Sequence, residues 1–169
     1  PFAVLYADVD HFKWFNDRFG FHRGDEVIRF TAETLLACVR AQGQEDGFVG
    51  HIGGDDFIVV SSCDGSIDLA SAILKQFEIG IAGYVGQDAG PVLDRDGLPA
   101  DADGLTLSLS LLLCEKAGGW TPDLLAEQAA LLKKRAKKQR GNALAWESLS
   151  WSPTGGTVST ITVGTESTS

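Results

Sequence analysis

The apolar positions fall into runs whose spacing changes along the chain, and each change predicts an element. "FAVLYA" (Phe2 to Ala7) is apolar without a break, as a central strand buried on both faces requires. It stops at "DVD". Asp10 then stands where it can cap a short helix in which Phe12, Phe15 and Phe19 share a face and Gly20 ends the run. Asp25 takes the capping position of a longer helix, with Ile28, Ala32, Leu35 and Val39 as its apolar stripe and Gly43 as its stop.

"FVGHI" and "FIVV" flank "GGDD" as the arms of a hairpin, with glycines where the tight turn needs positive φ. Ser66 to Tyr84 returns to helical spacing through Ile67, Ala70, Leu74, Phe77 and Ile81. Residues 85–104 are rich in Gly, Pro and Asp and read as a long loop. "LTLSLSLLL" (Leu105 to Leu113) alternates as a strand does. "TPDLLAEQAALLKKRAKKQRG" has Thr121 at the N-cap, Pro122 at the first helical position, acids early and bases late. "ALAWESL" follows as an edge strand.

From Ser150 the composition turns to Ser, Thr and Gly. That stretch reads as a flexible tail, or through "TVSTITV" as a strand added to the domain or to a neighbour. The order is β-α-α-β-β-α-β-α-β. It predicts an α/β (α+β) sandwich with a mixed, mostly antiparallel sheet flanked by helices. Residues 1–149 are expected to form a nucleotide-binding domain and 150–169 a C-terminal tail.

Composition narrows this picture. The chain has 169 residues, 44% hydrophobic and 22% charged, which suits one globular domain. No apolar run approaches the ~20 residues that span a bilayer, and no signal-peptide pattern is visible. The chain begins at Pro1 without a methionine anywhere, so it reads as a piece of a longer protein whose parent can carry a membrane anchor elsewhere. The net charge of −9 argues against duplex nucleic acid as a partner. Cys38, Cys63 and Cys114 form no C-x-x-C pair. Cys38 and Cys114 sit in apolar runs and read as small buried thiols, which points to a reducing, cytoplasmic location.

Candidate chemistry gathers at strand ends. Asp8 leaves a buried strand, and Asp55 and Asp56 sit on a hairpin expected to lie beside it. Three such carboxylates can share a hard cation, Mg²⁺ or Mn²⁺, and a cation held this way clamps triphosphate oxygens. An isolated GG-D-D also suits a solvated turn, but a turn does not explain an acid that ends an apolar strand. The cluster "KKRAKKQR" holds six of the chain's 14 basic residues. Most of these charges read as a solvated helix end favoured by the macrodipole.

"YADVDHFKWFNDRFGFHRGDEVIRF" followed by "GHIGGDDFIVV" resembles the GGDEF domains of diguanylate cyclases, which join two GTP molecules into cyclic di-GMP. The family's opening pattern, D-x-D-x-F-K-x-x-N-D-x-x-G-x-x-x-G-D, is met from Asp8 through Asp25, and the resemblance runs on through "LKKRAKKQRGNAL". In detail the motifs look most like GGDEF domains attached to EAL and CBS modules.

The resemblance implies that Asp8, Asp55 and the backbone carbonyl of Val9 hold Mg²⁺. Asp56 would serve the second metal or the reacting phosphate. Asn16 and Asp25 would read guanine, and Phe12, Gly53 and Gly54 would line the nucleotide. Lys137 falls where the family has a phosphate-binding lysine, with Arg140 nearby. Lys13 is a further phosphate candidate that equally suits an exposed helix position. The resemblance also implies a homodimer in catalysis and attached sensor, EAL or CBS-type domains.

Five positions or stretches depart from the family's pattern. Asp56 replaces a glutamate, His51 stands where an arginine is usual, and Leu112 stands where a glycine is typical. Gln44 and Gly47 occupy the places of an R-x-x-D product-inhibition site, and the last helix lacks the A-D-x-A-L-Y-x-A-K wording. Two functions follow: Mg²⁺-dependent condensation of two GTP, or a degenerate module that binds GTP and regulates attached domains. A polymerase palm is a third reading, opposed by the D-x-D-x-F-K-x-x-N-D segment and the acidic charge.

Overall fold

The computed structural model describes residues 1–86, 90–100, 104–116, 118–152 and 157–168, with side chains for all of these but 157–163 and 168. The elements in chain order are β1 (Phe2–Asp10), α1 (Phe12–Phe19), α2 (Phe21–Ala41), β2 (Phe48–Gly53), β3 (Asp56–Ser61), α3 (Ser66–Ile81), β4 (Thr106–Cys114), α4 (Pro122–Ala136), β5 (Asn142–Ser152) and β6 (Thr157–Thr168). The six strands form one sheet in the order β2-β3-β1-β4-β5-β6. Every pairing is antiparallel except β4 with β5, which are parallel and joined through α4. Among the described residues no helix is long and apolar enough to cross a membrane.

The uninterrupted apolar run of β1 is explained by its two partners and two covers. Ala3, Leu5, Ala7 and Val9 meet α1, α2 and α3, together with Leu107, Leu109 and Leu111 of β4. Val4 turns the other way, into a core shared with Leu112, Ala143, Ala145 and the Leu125, Ala129, Leu132 and Ala136 stripe of α4. Helices thus cover both faces, three on one and α4 on the other. Cys38 and Cys114 are buried free thiols, as expected, and burial pushes the Cys114 thiol up to about 12.

Several expectations are corrected. Asp10 does not cap α1; it is the last residue of β1, and its carboxylate accepts hydrogen bonds from Thr106 Oγ1 (2.8 Å) and Ser108 Oγ (2.8 Å) across the sheet. The turn into α1 is made instead by His11, which adopts the left-handed conformation with φ 61° and gives no side-chain cap. Asp25 lies inside α2 rather than at its start, since the helix begins at Phe21 directly after Gly20. Helix α3 ends at Ile81, short of Tyr84.

"ALAWESL" is not an edge: β5 lies between β4 and β6, because the Thr-rich stretch pairs with it antiparallel from Asn142 to Ser152. Within the loop at 85–104, Leu93 bridges Pro99, and Asp94 Oδ1 accepts from the amides of Asp96 and Leu98. Residues 87–89 and 101–103 of that loop, and 153–156 and 169 of the tail, lie outside the described residues.

Leu112 fills the α4-side core completely, with no exposed surface. Leu112→Ala is therefore expected to lower unfolding free energy by about 2–5 kcal/mol in urea titrations. A loss under about 1 kcal/mol would show that this face of the sheet is loosely packed.

Candidate functional site

Register alone brings the acids together. Asp8 and Asp56 are direct partners across the β1–β3 pairing, and Ser108 faces Asp8 from β4. Tyr6, Ile58 and Val60 pack into the α4-side core, so the period-2 alternation carries Asp8 and Asp56 to that same face. The turn between β2 and β3 is drawn back onto β1 by the Val9 amide, which donates to the Asp55 carbonyl at 3.2 Å. Gly53 (φ 149°) and Gly54 (φ 56°) take backbone conformations that favour glycine. His51 braces the turn: its Nε2 hydrogen-bonds the Gly54 carbonyl at 2.8 Å, and its ring stacks on Phe57.

The result is a group of three carboxylates, Asp8, Asp55 and Asp56, each offering an oxygen within 4.8 Å of the others. Oxygen-only donors at this spacing fit a hard divalent cation. Opposite them stands α4. Its buried stripe at Leu125, Ala129, Leu132 and Ala136 seats the helix, and Lys133 and Lys137 follow two stripe residues on the same flank. Lys133 Nζ lies 2.6 Å from Asp8 Oδ2 and 3.2 Å from Asp56 Oδ1. Lys137 Nζ lies 2.6 Å from Asp8 Oδ1 and 3.3 Å from Asp10 Oδ1. Arg135 pairs with the nearly buried Glu147 of β5 at 2.7 Å and fixes the helix to the sheet.

These contacts set the acidities. Burial pushes the Asp8 carboxyl up, but hydrogen bonds and charge from Lys133 and Lys137 outweigh it and hold Asp8 below the usual carboxylate range. Asp55 is pushed up by burial and by the neighbouring charges of Asp8 and Asp56. Asp56 is likewise raised, by burial and its contact with Asp8, against the pull of Lys133. Burial opposes the charge on Lys133, yet Asp8 and Asp56 keep it above the ordinary lysine value.

Beside the triad opens a cavity of about 1140 Å³. Val9, Phe12, Lys13, Asn16, Gly54, Asp55, Lys137 and Arg140 all line it, so most residues singled out from the sequence converge on one space. Gly53 stands next to Gly54 in the turn. Asp25 does not line the cavity; it is exposed on α2, one residue beyond Gly24, whose missing side chain lets α2 close on Asn16. Asn16 Oδ1 is buried against Gly24 and has no hydrogen-bond partner among the described residues. Lys13 is exposed and paired with Asp17 at 2.6 Å.

Lys133 was not visible as a site residue within the basic cluster. Its i, i+4 spacing from Lys137, on the flank next to the apolar stripe, is the signal that finds it. Lys133 and Arg135, read from the sequence as part of a solvated helix end, each make a specific ion pair with the sheet, as does Lys137. Asp94 and Arg95 of the loop also line the cavity, and nothing in their local sequence points there.

A mixed sheet between helices, with an acidic triad at the strand ends beside a large cavity, defines an α/β domain with a polar site at one edge of its sheet. A family model described as diguanylate cyclase, GGDEF domain, matches residues 1–84. A sensory box/GGDEF family protein from Caulobacter crescentus is 30% identical, with 81% of this chain and 78% of that one covered and a TM-score of 0.50. An EAL/GGDEF domain protein from M. capsulatus is 25% identical, with 86% and 84% covered and a TM-score of 0.59. A diguanylate cyclase of Vibrio cholerae is 32% identical over 80 residues, which is 46% of this chain and 24% of that protein. The chain belongs to the GGDEF domain family. It spans between 10% and 24% of the length of the first curated relatives it matches.

The opposite acidities of Asp8 and Asp55 predict opposite effects on stability. Asp8, held low, stabilises the fold above the unfolded carboxylate pKa, and that contribution is lost as pH falls through its folded value. Asp55, held high, binds its proton better folded than unfolded, so its contribution declines as pH rises through the carboxylate range. Asp55→Asn is expected to melt higher than the parent at pH 7 without metal, with the difference vanishing towards pH 3. Thermal melts across that range check this; a variant that melts lower at pH 7 would contradict it.

Proposed function

We propose that this domain binds GTP with Mg²⁺ and, when two protomers meet face to face, condenses two GTP into cyclic di-GMP. The observation that carries this reading is the acidic triad beside a cavity lined by Val9, Phe12, Asn16, Lys137 and Arg140. Asp8, Asp55, Asp56 and the Val9 carbonyl would hold the cation, Mg²⁺ or Mn²⁺. Bound cation supplies charge neutralisation on the triphosphate and polarisation of the attacking 3′-hydroxyl.

The chain's own residues do the rest. Asn16, with Asp25 behind Gly24, reads guanine, because a carboxylate accepts from both N1–H and the exocyclic amine. Phe12 flanks the base. Gly53 and Gly54 let phosphate approach the backbone, and Lys137, Arg140 and Lys13 face it with positive charge. Each 3′-hydroxyl gives up its proton to solvent as its oxygen bonds to the α-phosphorus of the other GTP. Two P–O bonds form, two α–β P–O bonds break and two pyrophosphates leave. One site cannot do this alone, and a dimer, at least transient, is required. Substrate and cation place the domain in the cytoplasm, in a parent that carries sensor, EAL or CBS-type modules.

A second reading is supported by one feature. Asp56 is a methylene shorter than the family's glutamate and its carboxylate is held by Lys133, which suits a module that binds GTP and regulates attached domains without turnover. One assay separates the two: incubation with GTP and Mg²⁺ is expected to yield cyclic di-GMP by mass spectrometry, with Asp56→Glu at least about tenfold faster. Tight GTP binding without product in both proteins would leave the module.

For the base, Asn16→Ala and Asp25→Ala are each expected to lower GTP affinity about tenfold or more while barely changing ATP affinity. Preserved discrimination in either variant removes that residue from base reading.

A further inference from the structure

Lys133 is the member of this site that the motif does not account for. It stands in the stretch of α4 where the family's wording is absent, and it faces carboxylates only: Lys137 lines the cavity and Lys133 does not. Between them the two ammoniums occupy both oxygens of Asp8, at 2.6 Å each, and Lys133 also holds Asp56. A divalent cation that draws on Asp8 has to displace one of the two ammoniums from it.

We propose that Lys133 is a built-in counter-ion that competes with the divalent cation for Asp8 and Asp56, so that the site takes the cation well only together with a triphosphate. The proposal rests on the preceding reading that the triad holds a cation. Asp8, Asp10, Asp55 and Asp56 against the two ammoniums leave two net negative charges. A cation entering alone has to break short ion pairs at the nearly buried Asp8. A triphosphate in the cavity removes that cost, because Lys137 can turn to it and leave an oxygen of Asp8. Lys133 has a compact charge on a flexible stem, which lets it withdraw to solvent without disturbing the stripe that seats α4. Coupling of this kind is reciprocal: cation and nucleotide each raise the affinity of the other.

Mn²⁺ serves as the probe, with 3′-deoxy-GTP as a nucleotide that cannot condense. Water-proton relaxation titrations are expected to show Mn²⁺ binding about tenfold tighter in Lys133→Met and Lys133→Gln than in the parent when no nucleotide is present. With 3′-deoxy-GTP the gap closes. On the unmutated chain, 3′-deoxy-GTP alone is expected to tighten Mn²⁺ about tenfold, a measurement that needs no variant to fold. Mn²⁺ affinity that is equal or weaker in the variants, or unmoved by nucleotide in the parent, overturns the proposal. If that Mn²⁺ binding is still lost in Asp55→Asn, the cation reading stands and only the role of Lys133 falls. If it is unaffected by Asp55→Asn, both fall.

Discussion

A carboxylate at the end of a central strand, with only a tenth of its side chain exposed, has to be neutralised by something. Asp8 is that group, and much of the architecture follows from supplying its partners. The β1–β3 register sets Asp56 opposite it, and the turn preceding β3 brings Asp55 alongside. The parallel β4–β5 connection carries α4 over this face of the sheet, and the helix delivers two ammoniums to the two oxygens of Asp8. The same contacts lower the pKa of Asp8 while those of Asp55 and Asp56 are raised, and the two ammoniums offset only part of the negative charge gathered there.

The core around the triad is asymmetric. Three helices bury one face of β1, whereas α4 alone covers the other and leaves room at its C-terminal end for the cavity. Leu112, where the family more often has glycine, is taken up entirely by the α4-side core, so this departure concerns packing rather than the site. His51, in place of an arginine, is occupied with the turn itself. Asp56 is the departure that touches chemistry. It keeps the charge with shorter reach, and Lys133 meets it there.

The strands and helices were largely legible because their apolar periods are clean: the unbroken run of β1, the alternation of β4, the stripes of α2 and α3. What local pattern could not supply was tertiary. Asp10 looks like a cap until cross-strand hydroxyls of Thr106 and Ser108 claim it, and Asp25 looks like a cap because the short gap at Gly20 hides that α2 starts four residues earlier. β5 reads as an edge when the pairing of the Thr-rich stretch is unknown. The acidic triad could be anticipated from strand-end acids, and Asn16, Lys137 and Arg140 from the motif. Lys133 needed the position of α4, since one basic residue among six resembles another until the helix face is known. Asp94 and Arg95 reach the cavity through a loop with no periodicity to read.

The account turns on one claim, that the triad is a divalent-cation site serving a guanine nucleotide in the adjoining cavity. Crystals grown with Mn²⁺ and 3′-deoxy-GTP, measured at the manganese edge, test it most directly. The account predicts anomalous density among Asp8, Asp55 and Asp56, a guanine against Asn16, and Lys133 withdrawn from Asp8. Nucleotide bound elsewhere, or a triad still closed by both lysines with no manganese in it, would contradict it.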